Sequence, residues 1–133
     1  MAFVLDASIC AVWALSDESH PLADVTMARL KTEHALVPAL WWFEIRNVLT
    51  ISERRKRMTA EDSREFLEFL AGFPIRDDFE RDEPAIFGLA RRYQLSFYDA
   101  AYLEAAHRHG IPLATLDGAL RQAAEAAGVA LLA

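Results

Sequence analysis

Short apolar runs alternate with longer segments of helical periodicity along the whole chain. The runs are typical of buried strands, because they are brief and bounded by glycine, proline or polar residues. Pro38 closes the second run, and Gly110 and Gly128 precede the last two. We predict strands at residues 3–5, 35–37, 112–116 and 129–132, with a weaker candidate at 74–76.

The segments between these runs place apolar residues three and four positions apart, as amphipathic helices do. We predict helices at 8–15, 21–32, 39–57, 60–73, 83–93, 98–109 and 118–127. Strands connected through helices run mostly parallel, with helices covering both faces of the sheet. The pattern predicts the α/β class: a single domain over residues 1–133, with a mostly parallel sheet of four to five strands and helices on both faces.

Composition agrees with a folded domain and excludes several other classes. The chain is 53% hydrophobic and 26% charged, with 5 Gly and 5 Pro, unlike disordered or collagen-like proteins. Its single cysteine, Cys10, cannot form an internal disulfide. The longest uncharged runs, 7–16 and 34–43, are too short to span a bilayer, so we expect a cytoplasmic protein with no membrane anchor. The net charge of -6 disfavours nucleic-acid binding over the whole surface, but not at one local site.

Three aspartates lie where predicted strands or loops pass into helices. Asp6 directly follows the first strand, and Asp117 follows the strand at 112–116. Asp99 closes the tetrapeptide Ser96-Phe97-Tyr98-Asp99, which has the spacing of a capping box. For each of them a helix cap is the simpler interpretation, since aspartate caps helices well. A functional role is the alternative.

Glu44 is harder to explain as a structural residue. Its helical neighbours are apolar, so its carboxylate emerges from the face that should enter the core. A buried charge is costly unless it is paired or bound to a metal. Pairing with a basic residue such as Arg46 is one explanation, although Arg46 points to another side of the helix. We favour a functional role for Glu44.

Together, Asp6, Glu44, Asp99 and Asp117 can converge on one edge of the sheet, where ligands bind in open α/β folds. Carboxylates that lie close together raise each other's pKa and oppose folding unless a cation neutralises them. Ligand sets made only of oxygen suit Mg²⁺ or Mn²⁺ rather than zinc. The four acids therefore predict a site for Mg²⁺ or Mn²⁺.

The chain resembles the PIN-domain ribonucleases, in particular the VapC toxins of bacterial and archaeal toxin-antitoxin pairs. The resemblance extends over essentially the whole chain, and four short motifs carry it in the family's order and spacing. They are Val4-Leu5-Asp6-Ala7-Ser8, Phe43-Glu44-Ile45-Arg46-Asn47-Val48-Leu49, Tyr98-Asp99-Ala100-Ala101-Tyr102-Leu103 and Leu113-Ala114-Thr115-Leu116-Asp117.

This resemblance implies an endoribonuclease toxin that depends on Mg²⁺ or Mn²⁺, inhibits translation and leaves 5′-phosphate and 3′-hydroxyl ends. In such an enzyme Asp6, Glu44, Asp99 and Asp117 form the acidic, metal-binding catalytic pocket, and Ser8 and Thr115 are supporting hydroxyls. The partners implied are a cognate VapB-type antitoxin, a structured RNA such as tRNA or rRNA, and a second copy of the chain in a homodimer.

Other functions remain open at this stage. A catalytically silent PIN module that only binds protein would keep the same fold. A receiver domain also gathers acids at strand ends, but it needs a lysine after a late strand, and the chain has only Lys31 and Lys56. The basic run at 53–57 is interpreted as a solvated helix end. Four aromatic residues suit the core, or alternatively a partner groove: Trp13, Trp41, Trp42 and Phe43.

Overall fold

A computed structural model describes all 133 residues and contains four strands and seven helices. The strands are β1 (Ala2–Leu5), β2 (His34–Pro38), β3 (Ile75–Asp78) and β4 (Leu113–Ala114). The helices are α1 (Ala7–Ala14), α2 (Pro21–Arg29), α3 (Leu40–Arg54), α4 (Ala60–Ala71), α5 (Glu83–Tyr93), α6 (Phe97–His109) and α7 (Gly118–Ala126).

The strands form one sheet in the order β3-β2-β1-β4, and every pairing is parallel. β1 lies inside the sheet, so Phe3, Val4 and Leu5 are fully buried. Uninterrupted apolar strands are expected where helices cover both faces of a parallel sheet. The α/β class, the parallel sheet and the single domain architecture are therefore confirmed.

The strand order changes direction once. The chain proceeds outward from β1 to β2 and β3, then returns past β1 to place β4 on its other side. Right-handed crossovers put α1 to α4 on one face of the sheet and α5 and α6 on the other. Accordingly, α1 contacts α2 and α3, whereas α6 contacts β1, β2 and β4. The carboxyl ends of β1 and β4 lie where the strand order reverses, which is the point where ligands bind in folds of this kind.

Some element bounds differ from the sequence predictions. All seven helices form, but α3 ends at Arg54 rather than at residue 57, because Lys56 adopts a left-handed backbone with φ of 58°. The predicted strand at 129–132 is wrong: this segment makes only an isolated bridge between Leu131 and Leu113. Its start is bent by Gly128, whose φ is 74°. The weak candidate at 74–76 is a full strand, β3.

The core lies between the sheet and the helices on both sides of it. Its largest fully buried side chains include Phe3, Ile9, Ile45, Tyr102 and Leu103, from three of the helices and the central strand. Tyr102 is the only one of these that carries a polar group into the core. None of the helices is both long and apolar enough to cross a membrane.

Candidate active site

Two polar segments follow β1 and β4 at the point where the strand order reverses. The Asp6 N–H donates to the Ala114 carbonyl at 3.0 Å, which extends the pairing of β1 and β4 by one residue. Asp6 and the segment Thr115-Leu116-Asp117 are thereby placed side by side, although they are more than a hundred residues apart in sequence. The topology alone thus brings two of the predicted site residues to the same place.

Two hydroxyl groups hold the Asp6 carboxylate. Thr115 Oγ1 donates to Asp6 Oδ2 at 2.6 Å, and Ser8 Oγ donates to the same oxygen at 2.7 Å. Asp6 occupies the N-cap position of α1, but its side chain makes no capping hydrogen bond. The cap interpretation of Asp6 is therefore wrong. Both hydroxyls use Oδ2, so Oδ1 accepts from no side chain.

The same hydroxyls also accept hydrogen bonds from the backbone after β4. The Leu116 N–H donates to Ser8 Oγ at 2.9 Å, and the Asp117 N–H donates to Thr115 Oγ1 at 3.0 Å. Each hydroxyl is thus both a donor and an acceptor, which fixes the direction of its proton toward Asp6. Ser8 and Thr115 connect the start of α1 to the segment after β4 and orient Asp6 between them.

Glu44 lies in α3 and is held from the opposite face of the sheet. The Tyr102 hydroxyl of α6 donates to Glu44 Oε1 at 2.6 Å. Arg46, the basic partner considered from the sequence, instead donates to the Trp42 carbonyl at 3.3 Å and stacks on the Trp42 ring. The pairing of Glu44 with an arginine is therefore wrong, and its structural partner is a neutral phenol.

Asp99 lies in the first turn of α6, but its carboxylate does not complete a capping box. Ser96 Oγ accepts from the Asp99 N–H at 3.0 Å, and no reciprocal bond from the Ser96 N–H to the Asp99 carboxylate forms. In α4, by contrast, Thr59 and Asp62 make both bonds of the box. The backbone of Asp99 caps the helix, and its half-buried carboxylate remains available.

Asp117 differs from the other three acids because it is exposed and does cap a helix. Its Oδ2 accepts from the Leu120 N–H at 2.9 Å at the start of α7. The capping interpretation of Asp117 therefore agrees with its hydrogen bond to the Leu120 N–H. Asp117 nevertheless borders the site, since its charge raises the pKa of both Asp6 and Asp99.

The carboxylates form one electrostatic group. Burial raises the pKa of Asp6, of Glu44 and of Asp99, and the charges of neighbouring acids raise each further. The charges of Asp6 and Asp99 raise the pKa of Glu44. Those of Asp117 and Asp6 raise the pKa of Asp99. No arginine, lysine or histidine makes an ion pair with any of the four acids. The group is negative and lacks an internal cation.

A divalent cation suits this group by chemistry, although the ligand set is not assembled. All donors are oxygens, as Mg²⁺ and Mn²⁺ prefer, and a cation would offset the mutual repulsion. Yet no three His, Cys, Asp or Glu side chains are arranged so that they could hold a metal ion. Tyr102 and the Leu120 N–H hold Glu44 and Asp117 separately. Metal binding would therefore require the carboxylates to move closer together.

Sequence reasoning missed two groups of residues. Tyr102 lies within one of the four motifs, but nothing in the sequence shows that a buried phenol will meet a carboxylate on another helix. Glu104 is not among the residues singled out from the sequence, yet it is 3% exposed. It pairs with Arg108, which also binds Asp78 at 2.8 Å. The spacing of Glu104 and Arg108, one helical turn apart, was the available signal.

Three solved structures are similar to this chain over nearly its full length. PAE2754 from Pyrobaculum aerophilum is 25% identical, with a TM-score of 0.70 and coverage of 92% of this chain and 87% of the other. FitAcB from Neisseria gonorrhoeae is 18% identical, with a TM-score of 0.65 and coverage of 100% and 97%. The Mycobacterium tuberculosis toxin VapC20, described as cleaving the sarcin-ricin loop, is 18% identical, with a TM-score of 0.69 and coverage of 99% and 98%.

Among curated proteins, no match to this chain reaches significance. The model of the PIN domain family, however, matches residues 3–126, which is nearly the entire chain. That span includes all four acids and the four strands except the first residue of β1. The chain belongs to the PIN domain family.

Proposed function

We propose that the protein is an endoribonuclease that depends on Mg²⁺ or Mn²⁺ and acts as the toxin of a type II toxin-antitoxin pair. It hydrolyses phosphodiester bonds of RNA, leaving 5′-phosphate and 3′-hydroxyl ends, and thereby inhibits translation. The proposal is supported by membership of the PIN domain family and by the similarity of fold to a toxin that cleaves RNA.

One observation carries the proposal. Asp6, Glu44 and Asp99 share a raised pKa for the same causes, burial and each other's proximity, and no basic side chain neutralises them. A fold under selection for stability alone gains nothing from such a group, since repulsion among buried carboxylates destabilises it. Acids with perturbed pKa values that cluster at the ligand-binding edge of a sheet are typical of a catalytic site.

The carboxylates and the hydroxyls of the site have different roles. Asp6, Glu44, Asp99 and Asp117 are the carboxylates that would hold the cation. Ser8 and Thr115 fix Asp6 through hydrogen bonds of 2.7 and 2.6 Å. When bound, the cation supplies a water of lowered pKa and positive charge near the leaving oxygen. Net hydrolysis would place the OH of a water on phosphorus and its remaining proton on the departing 3′ oxygen, which gives the 5′-phosphate and 3′-hydroxyl ends.

The proposed setting is cytoplasmic, as a homodimer with a cognate VapB-type antitoxin and a structured RNA such as tRNA or rRNA as substrate. An acidic protein cannot rely on nonspecific attraction to phosphates. We therefore expect it to recognise RNA by shape and by a few local contacts.

The test is cleavage of a panel of structured RNAs by purified protein with Mn²⁺, Mg²⁺ or chelator. We expect cleavage only with metal, 5′-phosphate ends, and loss of cleavage in Asp6→Asn, which keeps the shape of the side chain. Asp17→Asn is the matched control, because Asp17 lies outside the site and pairs with Arg57. A folded wild-type protein that binds metal and cleaves no RNA would support the silent PIN module instead.

A further inference from the structure

A cavity of about 160 Å³ lies beside the carboxylate group and plays no part in the site described so far. It opens between the end of β2, the segment after β3, and α5 and α6. Its apolar wall includes Leu40, Phe97 and Tyr98, and its polar wall includes Arg81. At roughly 30 Å³ for each water, it has room for about five waters. That is the scale of one small planar ring system rather than of a protein helix.

The position of the cavity follows from the contact between α3 and α6. Glu44 and Tyr102 meet through a hydrogen bond, and Leu40 and Tyr98 each lie four residues earlier on the same two helices. Four residues make about one helical turn, a rise of roughly 5.4–6 Å. The cavity is therefore about one turn away from Glu44, and Tyr98 directly precedes Asp99. Any group bound in it lies next to the proposed cleavage site.

The two walls offer a stacking surface and a cation. Tyr98 is 64% exposed, so its ring is open to a stacking partner. The buried acids Asp78 and Glu104 are already paired with Arg108, so they are not free to bind a ligand. Arg81 is exposed and makes no ion pair. The cavity thus combines an open aromatic face with one unpaired guanidinium, beside the exposed carboxylate of Glu80, which lies 3.9 Å from Arg108.

We propose that this cavity binds one unpaired nucleobase of the RNA, next to the cleaved phosphodiester, with the base stacked on Tyr98 and a neighbouring phosphate bound by Arg81. The proposal rests on the ribonuclease activity proposed above. Single-stranded RNA is recognised in this way, by splayed bases on aromatic rings and by basic side chains on phosphates. The cavity would give the enzyme a base preference at one position beside the cut.

The first test measures which members of an RNA library, randomised around the cleavage position, are cleaved by the wild type and by each variant. We expect the wild type to prefer certain bases at one flanking position. Tyr98→Ala should lose this preference and lower kcat/KM by about tenfold, mostly through KM, because stacking on the ring is lost. Tyr98→Phe should retain both properties. The matched control is Phe43→Ala: Phe43 is 69% exposed and directly precedes Glu44, but it does not line the cavity.

The second test measures binding without cleavage, by fluorescence anisotropy of a labelled single-stranded RNA in chelator. Tyr98→Ala and Arg81→Ala should both weaken binding, and Arg81→Ala should reduce its salt dependence by about one phosphate contact. Arg76→Ala, an exposed arginine outside the cavity, should change neither.

The outcomes separate this proposal from the proposed function. Binding that depends on Tyr98 in a wild type that cleaves nothing would support the base pocket and reject the ribonuclease. Cleavage in which Tyr98→Ala behaves like Phe43→Ala would overturn the base pocket and leave the ribonuclease intact. Unchanged cleavage by Tyr98→Ala, together with loss of the homodimer or of antitoxin binding, would also overturn it and assign the cavity to a protein contact.

Discussion

The Tyr102 hydroxyl lies 2.6 Å from Oε1 of Glu44 and joins helices that cover opposite faces of the sheet. Tyr102 is fully buried, so its phenol has no access to water and donates to Glu44 alone. Burial raises the pKa of Glu44, and this hydrogen bond opposes that rise. Since the bond uses Oε1, the second oxygen of Glu44 remains free. Tyr102 therefore fixes the direction of a carboxylate without neutralising it.

Replacing Tyr102 with phenylalanine removes only this hydroxyl. We expect Tyr102→Phe to fold and to lose about 1 kcal/mol of stability, because Glu44 is partly exposed and water can replace the lost donor. The rate of RNA cleavage should fall by more than the loss of folded protein explains, since Glu44 loses its orientation. Urea unfolding and cleavage of one preparation measure both effects. Tyr93→Phe is the control, because its hydroxyl has no hydrogen bond within the protein; equal activity of the two variants would contradict the positioning role.

Thr115 tests the support of Asp6. Thr115→Val keeps the shape of the side chain but loses the donor to Asp6 and the acceptor for the Asp117 N–H. We expect a loss of about 1–2 kcal/mol, because the Asp117 N–H loses its acceptor and Asp6 Oδ2 keeps only the Ser8 donor. Thr115→Ser restores both bonds and should recover most of the stability and the cleavage. Failure of serine to rescue would show that the methyl group matters, not the hydroxyl.

Metal binding should stabilise the protein through its carboxylates. At about a hundred times the dissociation constant, Mn²⁺ should add roughly 2.7 kcal/mol to the free energy of unfolding relative to chelator. Asp99→Asn should keep the fold, because Ser96 caps the backbone N–H of residue 99 rather than its side chain. In chelator this variant should be as stable as the wild type or more so, since one repelling charge is gone.

The gain from Mn²⁺ should be smaller in Asp99→Asn than in the wild type, and RNA cleavage should be lost. Thermal melting of both proteins in Mn²⁺ and in chelator measures this difference. Equal midpoints for the wild type in the two buffers would argue against the metal site as a whole. A variant with full activity would assign Asp99 to the helix alone.

The ion pair between Asp78 and Arg108 should make stability depend on pH. Burial by itself would raise the pKa of Asp78, but hydrogen bonds from Arg108 and His109 outweigh it and hold this pKa below its usual value of 3.8. The stabilisation is therefore complete above that value and is lost as the pH falls through the lowered pKa. We expect Asp78→Asn to cost about 1–3 kcal/mol at pH 7.

This cost should shrink as the pH is lowered below 4, where the wild-type carboxyl also becomes protonated. Urea unfolding of both proteins at several pH values between 7 and 3 measures this cost. Glu80→Gln serves as the control, since the Glu80 side chain is 85% exposed and lies 3.9 Å from Arg108, so its loss should change stability by less than about 0.5 kcal/mol. A constant difference between wild type and Asp78→Asn at every pH would exclude a charge effect.

The fold was largely predictable from the sequence because its helices and inner strands have clear periodicity. The bounds of α5 agree with the prediction, and β1 is the apolar run Phe3-Val4-Leu5 extended by one residue. The end of the chain was not predictable in the same way. The apolar residues at 129–132 are compatible with a strand. In the structure, only Leu131 of this segment forms a bridge, with Leu113 of the edge strand β4.

The site was predictable where strand order determines it and unpredictable where side chains cross between elements. The position of Asp6 after a buried strand was sufficient to place it at the ligand-binding edge. Its two hydroxyl donors followed from the family resemblance alone. The hydrogen bond from Tyr102 to Glu44 depends on how α3 and α6 approach each other, and no local pattern encodes that approach.

The placement of β4 next to β1 has a consequence for synthesis on the ribosome. The two strands are separated by more than a hundred residues, so their pairing is the most non-local in the sheet and is expected to form late in folding. A nascent chain that ends before residue 113 carries Asp6, Glu44 and Asp99 but lacks Thr115 and Asp117. The carboxylate group is therefore incomplete until residues 113–117 have been synthesised, which delays any activity of the site until that point of translation.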